Sequence, residues 1–169
     1  MERNERLILG IDPGFGRMGY AIVAAAGSDL RLLTCNAIMT PAALSYPQRL
    51  LRIYEELGEI IDQYRPVEAA IEALFFGKNV TTAIAVAQAR GVAILTLAQR
   101  DLSIVEYTPS AVKLAVTGYG AAHKEQVGYM VGQWLHLSAI PEPDDAADAA
   151  AIAICHAHVP RLCREGSPR

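Results

Sequence analysis

Residues 7–40 read as three successive strands with no helix between them, and from residue 45 onward helices and strands alternate. Leu7-Ile-Leu-Gly-Ile11 is a short apolar run closed by Asp12-Pro13-Gly14, a strand running into a turn. Met18 to Ala24 and Leu30 to Thr40 carry two more strand patterns, split by a hairpin-like break at Gly27-Ser-Asp29. Three strands in sequence imply an antiparallel meander. Ser45 then caps a helix whose apolar positions Leu50, Ile53, Tyr54, Leu57 and Ile61 recur at three- and four-residue spacing, with Pro66 just past its end. Val67 to Ile71 reads as a buried strand. It is followed by a long helix from Asn79 to Arg100, a strand from Ser103 to Tyr107, a short helix near Ser110 to Val116, a helix from Lys124 to Leu137 and a last helix opening at Asp144. The expected architecture is α/β: a five-stranded mixed sheet, three antiparallel strands then two parallel, flanked by helices.

A chain of 169 residues with 52% apolar and 20% charged residues has the material for one full core and is short for two. A single domain is expected over residues 1–159, with a disordered Arg/Pro/Ser-containing tail at 160–169. No apolar run approaches the ~20 residues of a membrane span, and the charged opening Met1-Glu-Arg-Asn-Glu-Arg6 has no apolar signal core behind it. The expected location is cytoplasmic, with no membrane partner. Cys35, Cys155 and Cys163 match neither a disulfide framework nor a zinc pattern and read as reduced thiols.

Four carboxylates stand at the ends of predicted elements: Asp12, Glu72, Asp145 and Asp148. If the strands ending at Asp12 and Glu72 are adjacent and parallel, those ends lie ~5 Å apart. Asp145 and Asp148, three residues apart on a helix, share one face of its start. Each has an ordinary explanation too: Asp12 initiates a turn, and acidic residues at a helix start complement its dipole, with Asp144 the expected cap. Glu72 is the hardest to explain that way, because Glu is disfavoured in strands and here closes an apolar run. Carboxylates that converge repel one another unless a cation sits between them, so the conjunction points to divalent-metal chemistry.

The net charge of −3 and pI near 5.8 argue on their face against a polyanionic partner. Metal would neutralise the cluster, however, and local charge steers more than the sum. All three lysines, Lys78, Lys113 and Lys124, fall between Glu72 and Asp145. Arg31, Arg49, Arg52 and Arg65 read as solvated. A competing motif is Gly14-Phe-Gly16-Arg-Met-Gly19, which fits a G-x-G-x-x-G dinucleotide fingerprint. That fingerprint should open a helix and be followed about 20 residues on by an acidic residue. Here it leads into a strand pattern, and Asn36 to Thr40 offers no acid. The glycines are expected to permit positive φ and close backbone approach beside Asp12. An actin-like phosphotransferase would need a second lobe for which the chain has no room.

Ile8-Leu-Gly-Ile-Asp-Pro-Gly14, Ala70-Ile-Glu72 with Phe75, Lys78-Asn79, Gln88-Ala-Arg-Gly-Val-Ala93, Val112-Lys113, Lys124-Glu-Gln-Val127 and Asp145-Ala-Ala-Asp-Ala149 together resemble the RuvC family of bacterial crossover junction endodeoxyribonucleases. The resemblance runs in register from Leu7 to Val159. It implies an RNase H-like fold, a homodimer, partnership with the RuvA–RuvB branch-migration complex, and resolution of four-way (Holliday) DNA junctions by paired symmetric nicks in recombination and repair. By the same resemblance Asp12, Glu72, Asp145 and Asp148 are catalytic ligands of two divalent metals, Mg²⁺ or Mn²⁺. In-line attack of water would leave 5′-phosphate and 3′-hydroxyl ends. Lys113 and Lys124 match lysines that support activity near the phosphates, Phe75 matches an aromatic that stacks at the junction, and Lys78 and Asn79 match a segment along the DNA path. Phe76 could stack beside Phe75, with core packing the alternative for at least one of them. Solvated helix surface is the ordinary alternative for the two lysines. In the helix from Asn79, Ala83, Ala87 and Gly91 recur every four residues, a small-residue stripe that suits either a twofold interface or a buried core helix. The alternative function is a junction-binding module without catalysis.

Overall fold

The computed structural model describes residues 5–74 and 80–159. Its elements are β1 (Arg6–Asp12), β2 (Arg17–Ala26), β3 (Asp29–Met39), α1 (Tyr46–Tyr64), β4 (Glu68–Glu72), α2 (Val80–Ala98), β5 (Ser103–Tyr107), α3 (Pro109–Thr117), α4 (Lys124–Trp134) and α5 (Asp144–His158). The sheet order is β3-β2-β1-β4-β5. Pairing is antiparallel from β3 to β1 and parallel from β1 through β4 to β5, as the element order implies. Among the described residues no helix is long and apolar enough to cross a membrane.

Successive side chains of a strand point to opposite faces. On β1, Leu9 and Ile11 join Ile53, Leu57 and Ile61 of α1 and Ala89, Ala93 and Leu97 of α2 in one core. Ile8 faces the other way, into a core built with α3, α4 and α5. β4 repeats the alternation, Ala69 and Ile71 toward α1 and α2 and Ala70 toward α5. By the same parity Gly10 and Asp12 of β1, and Glu68 and Glu72 of β4, lie on the α5 face. α1 opens at Ser45, whose backbone N–H donates to Gln48 Oε1 at 2.9 Å, and closes at Arg65 in a left-handed conformation just before Pro66.

Ten of the fifteen residues of α5 are buried, six of them alanine. Side chains this small let the helix backbone lie close on the sheet, and alanine costs the helix nothing in propensity. The sheet answers with glycine. A Cβ on Gly10 would stand 2.1 Å from the Ala149 carbonyl oxygen, and one on Gly19 would stand 1.9 Å from the Asp145 carbonyl oxygen. Real Cβ contacts are never that short, so both positions need glycine for close approach. This revises one expectation about the glycine cluster: Gly14, Gly16 and Gly19 have no positive φ, and only Gly27 and Gly118 do among the described glycines. Gly14 likewise leaves room for the Arg17 carbonyl. The expectation that Asp144 caps α5 also fails. Pro143 is the N-cap, and Asp144, one residue inside, leaves its side chain 77% exposed and pairs with Lys124 instead.

Candidate active site

Asp12 and Glu72 end neighbouring parallel strands whose ladder runs through Ile11 and Ile71, so they stand side by side at one edge of the sheet. Across the β1–β2 ladder Asp12 pairs with Gly19, on which the Asp145 backbone rests. The glycine seat thus brings the first turns of α5, with Asp145 and Asp148, onto the strand end that carries Asp12. α3 and α4 close the other side. Thr108 caps α3 by accepting from the Ala111 N–H at 3.1 Å, and His123 opens α4 with its own N–H on Gln126 Oε1 at 2.8 Å. Lys113 and Lys124 are delivered by those two helices.

The result is a cavity of about 240 Å³ lined by Asp12, Glu72, Asp148, Lys113 and Lys124, with Pro109, Val112, Val127 and Ala151 as apolar wall. Burial, then the charges of Glu72, Asp148 and Asp145, push the Asp12 carboxyl up to about 7, with Lys124 opposing. Glu72 is raised by burial and by Asp148 against the pull of Lys113. Asp148 is raised chiefly by burial, although Lys124 pulls it down. Burial works against the Lys124 ammonium, but it remains above its ordinary value because Asp148 and Asp144 lie 3.1 and 3.2 Å away.

Asp145 does not line the cavity. Its Oδ2 lies 3.2 Å from Arg17 Nε, an ion-pair distance without hydrogen-bond geometry, and that buried oxygen has no hydrogen bond. Among the described residues no three Asp, Glu, His or Cys side chains already close on one point as an ion would require. The donor set nevertheless fits a hard divalent cation. It consists of carboxylate oxygens, one of them the buried Asp145 Oδ2 with no hydrogen bond, and burial and mutual repulsion disfavour the charge of Asp12, Glu72 and Asp148.

Of the residues singled out from sequence, Asp12, Glu72, Asp148, Lys113 and Lys124 share this cavity, and Asp145 stands close enough to act on Asp12. Phe75, Phe76, Lys78 and Asn79 lie outside the described residues, as does the tail at 160–169. Three arginines that were given no role beside the site stand next to it. Arg17 pairs with Asp145. Arg49, expected in solvent, stacks 3.9 Å over the Phe15 ring and donates through Nε to the Thr40 carbonyl at 3.1 Å, bracing the turn after Asp12. Arg90 donates to the main chain of Glu72. Only Arg90 left a sequence signal, as the single charged residue of α2.

The sheet order, the helices on both of its faces and the acidic edge are those of an RNase H-like fold, and the matches that follow make it a metal-dependent nuclease of that fold. The family model described as crossover junction endodeoxyribonuclease RuvC matches residues 8–156. The chain belongs to the RuvC family. It is similar to the crossover junction endodeoxyribonuclease RuvC of Chloroflexus aurantiacus, 55% identical over 159 residues covering 94% of this chain and 97% of that one. It is 53% identical to that of Roseiflexus sp. over 156 residues, 92% of this chain and 93% of the relative. Among solved structures it resembles Thermus thermophilus RuvC in complex with Holliday junction substrate, with a TM-score of 0.87 and 33% identity over 95% of this chain and 96% of the other.

Proposed function

We propose that this protein resolves four-way DNA junctions by hydrolysing one phosphodiester in each of two opposed strands, with Asp12, Glu72, Asp145 and Asp148 holding two divalent cations, Mg²⁺ or Mn²⁺. The observation that carries this is the single cavity into which β1, β4 and α5 each deliver a carboxylate of raised pKa, with two lysines opposite. When bound, the cations activate water and stabilise the leaving oxygen, giving 5′-phosphate and 3′-hydroxyl ends. The chain's own residues do the rest. Asp12, whose carboxyl feels the charges of the other three, would hold the cations together with Glu72, Asp145 and Asp148. Lys113 and Lys124 offset the negative charge that grows on the phosphoryl oxygens. Pro109, Val112, Val127 and Ala151 keep bulk water from one wall, which strengthens those electrostatic contacts.

DNA is further held by Lys78 and Asn79, with Phe75 and Phe76 stacking on bases at the branch point at ~1–3 kcal/mol each. The working unit is a homodimer that meets through α2, whose outward side carries the exposed Ile84, Gly91 and Leu95. Two sites related by a twofold axis make symmetric nicks. Residues 1–159 act as one nuclease domain with 160–169 as an appended tail, working in the cytoplasm beside the RuvA–RuvB complex.

The test is cleavage of a synthetic four-way junction with mapped cut positions in Mg²⁺ and in Mn²⁺. Paired symmetric nicks are expected, and an intact junction under both metals overturns the reading. Asp145→Asn should still bind the junction, because phosphate contacts position DNA while the carboxylate serves the metal. Near wild-type cleavage by that variant removes Asp145 from the ligand set.

A further inference from the structure

α2 runs for nineteen residues with one charge, Arg90, and its side chain is only 13% exposed. A helix that needed only to pack would carry an apolar residue there, since burying a guanidinium costs several kcal/mol unless its partners repay it. The partners are specific. Nε donates to the main-chain carbonyl of Glu72 at 3.2 Å, and Nη2 lies 2.7 Å from Glu106 Oε2 on β5, an ion-pair distance without hydrogen-bond geometry, so the repayment there is electrostatic alone. Glu106 is paired in register with Ile71, the residue before Glu72.

That carbonyl matters because Glu72 ends a strand of five residues and is held by few other bonds. On the β1 side the ladder stops at Ile11 and Ile71. On the β5 side it reaches Tyr107, with one further bond from Ala73 N–H to the Tyr107 carbonyl at 2.9 Å. Beyond this point the chain leaves the sheet. A metal-binding carboxylate must be held to within about 0.5 Å of its working position. Nothing in the β1 ladder supplies that hold at Glu72, and Arg90 does so from beneath.

We infer that Arg90 is a positioning residue for the reaction: it clamps the main chain of Glu72 to α2, with Glu106 orienting its guanidinium. The inference rests on the catalytic reading of Glu72 given above. Arg90 does not line the cavity that holds the carboxylates, so its loss acts on how well Glu72 is aimed. The same helix carries the exposed Ile84 and Leu95, which makes the proposed dimer helix the element that sets one carboxylate of the site.

The experiment compares Arg90→Gln, Arg90→Lys and Glu106→Gln with wild type by single-turnover junction cleavage, junction affinity in EDTA, Mn²⁺ binding to the protein alone by electron paramagnetic resonance, and melting temperature. Arg90→Gln should lower the cleavage rate and weaken Mn²⁺ binding each about 10- to 100-fold, as loss of an outer-sphere partner does, with junction affinity within about twofold. Arg90→Lys should recover part of both, since the charge returns without the fork. Glu106→Gln should lose about two- to fivefold in rate, because only the aim of Arg90 changes. Wild-type rate and Mn²⁺ affinity in Arg90→Lys and Glu106→Gln overturn the inference, whether or not Arg90→Gln folds. So does a loss confined to junction affinity. Asp12→Asn runs in parallel: if it cleaves, the catalytic reading fails, whereas a dead Asp12→Asn beside unaffected Arg90 variants refutes the clamp alone.

Discussion

β4 carries a glutamate at each end, Glu68 and Glu72, both turned to the α5 face of the sheet, and the two ends are built on opposite principles. At Glu68 every charge meets its complement. Arg6 Nη1 lies 2.9 Å and His156 Nε2 3.0 Å from Glu68 Oε2, His156 Nδ1 bonds the Tyr107 hydroxyl at 2.9 Å, and Arg6 also reaches the Ala157 carbonyl at 3.1 Å. That network ties β1, β4 and β5 to the C-terminal end of α5. At Glu72 like charges accumulate, and burial raises three carboxyls together. Two side chains of the same type, four residues apart on one strand face, teach that burial does not decide a glutamate's role. What decides is whether the chain itself supplies the balancing cation.

The strongest way to break the comparison is to make the same change at both ends. Glu72→Gln should lower junction cleavage at least ~1,000-fold, roughly 4 kcal/mol or more in barrier, while the metal-free melting temperature holds or rises because a like charge has gone. Glu68→Gln should do the reverse. It leaves Arg6 and His156 without their carboxylate and should cost about 1–3 kcal/mol in denaturant unfolding, with cleavage per folded molecule within about threefold of wild type. Equal phenotypes at the two ends would erase the distinction.

A change of pH sharpens it without mutation. Asp12 binds its proton more tightly folded, with a pKa of about 7, than unfolded, near 3.8. Between those values the native state holds the extra proton, so the metal-free protein loses stability as pH rises from about 4 to 7 through this group. A divalent cation relieves that cost. The rise in melting temperature on adding Mn²⁺ should therefore be larger at pH 8 than at pH 5, by the equivalent of about 1–3 kcal/mol, in scanning fluorimetry. The smallest effect belongs to Asp144, next to Asp145 but exposed. Asp144→Asn breaks only a solvated pair with Lys124 and should shift stability by less than about 0.5 kcal/mol, with cleavage within about twofold.

The fold was legible because its signals are local: apolar runs closed by turn residues mark β1 and β4, and a three- and four-residue apolar spacing marks α1. The convergence of Asp12 and Glu72 was legible for a related reason: each closes an apolar strand, and parallel neighbours put their ends together. What escaped depends on partners far along the chain. The His156 to Glu68 bond spans 88 residues, and the stacking of Arg49 on Phe15 joins α1 to a turn 34 residues earlier. Asp144 was misread because an acidic residue at a helix start looks the same one position either side of the cap. Of the two reasons expected for the glycines after Asp12, close backbone approach holds and positive φ does not: the carbonyl that needs the space comes from Arg17 at Gly14 and from α5 at Gly19.

The seat of α5 on Gly10 and Gly19 also limits how this molecule can vary. Where one backbone rests on another there is no rotamer to adjust, and the spacing between sheet and helix cannot be retuned by exchanging one side chain for another of similar size. At Gly10 and Gly19 only glycine fits, and at the buried Ala149 and Ala153 that face Gly10 there is little room for more, because even one methylene of overpacking in such a core costs ~1–3 kcal/mol. Room for substitution is therefore left on the outer faces of the helices, while the gap that sets the reach from strand to helix carboxylate acts as a fixed gauge.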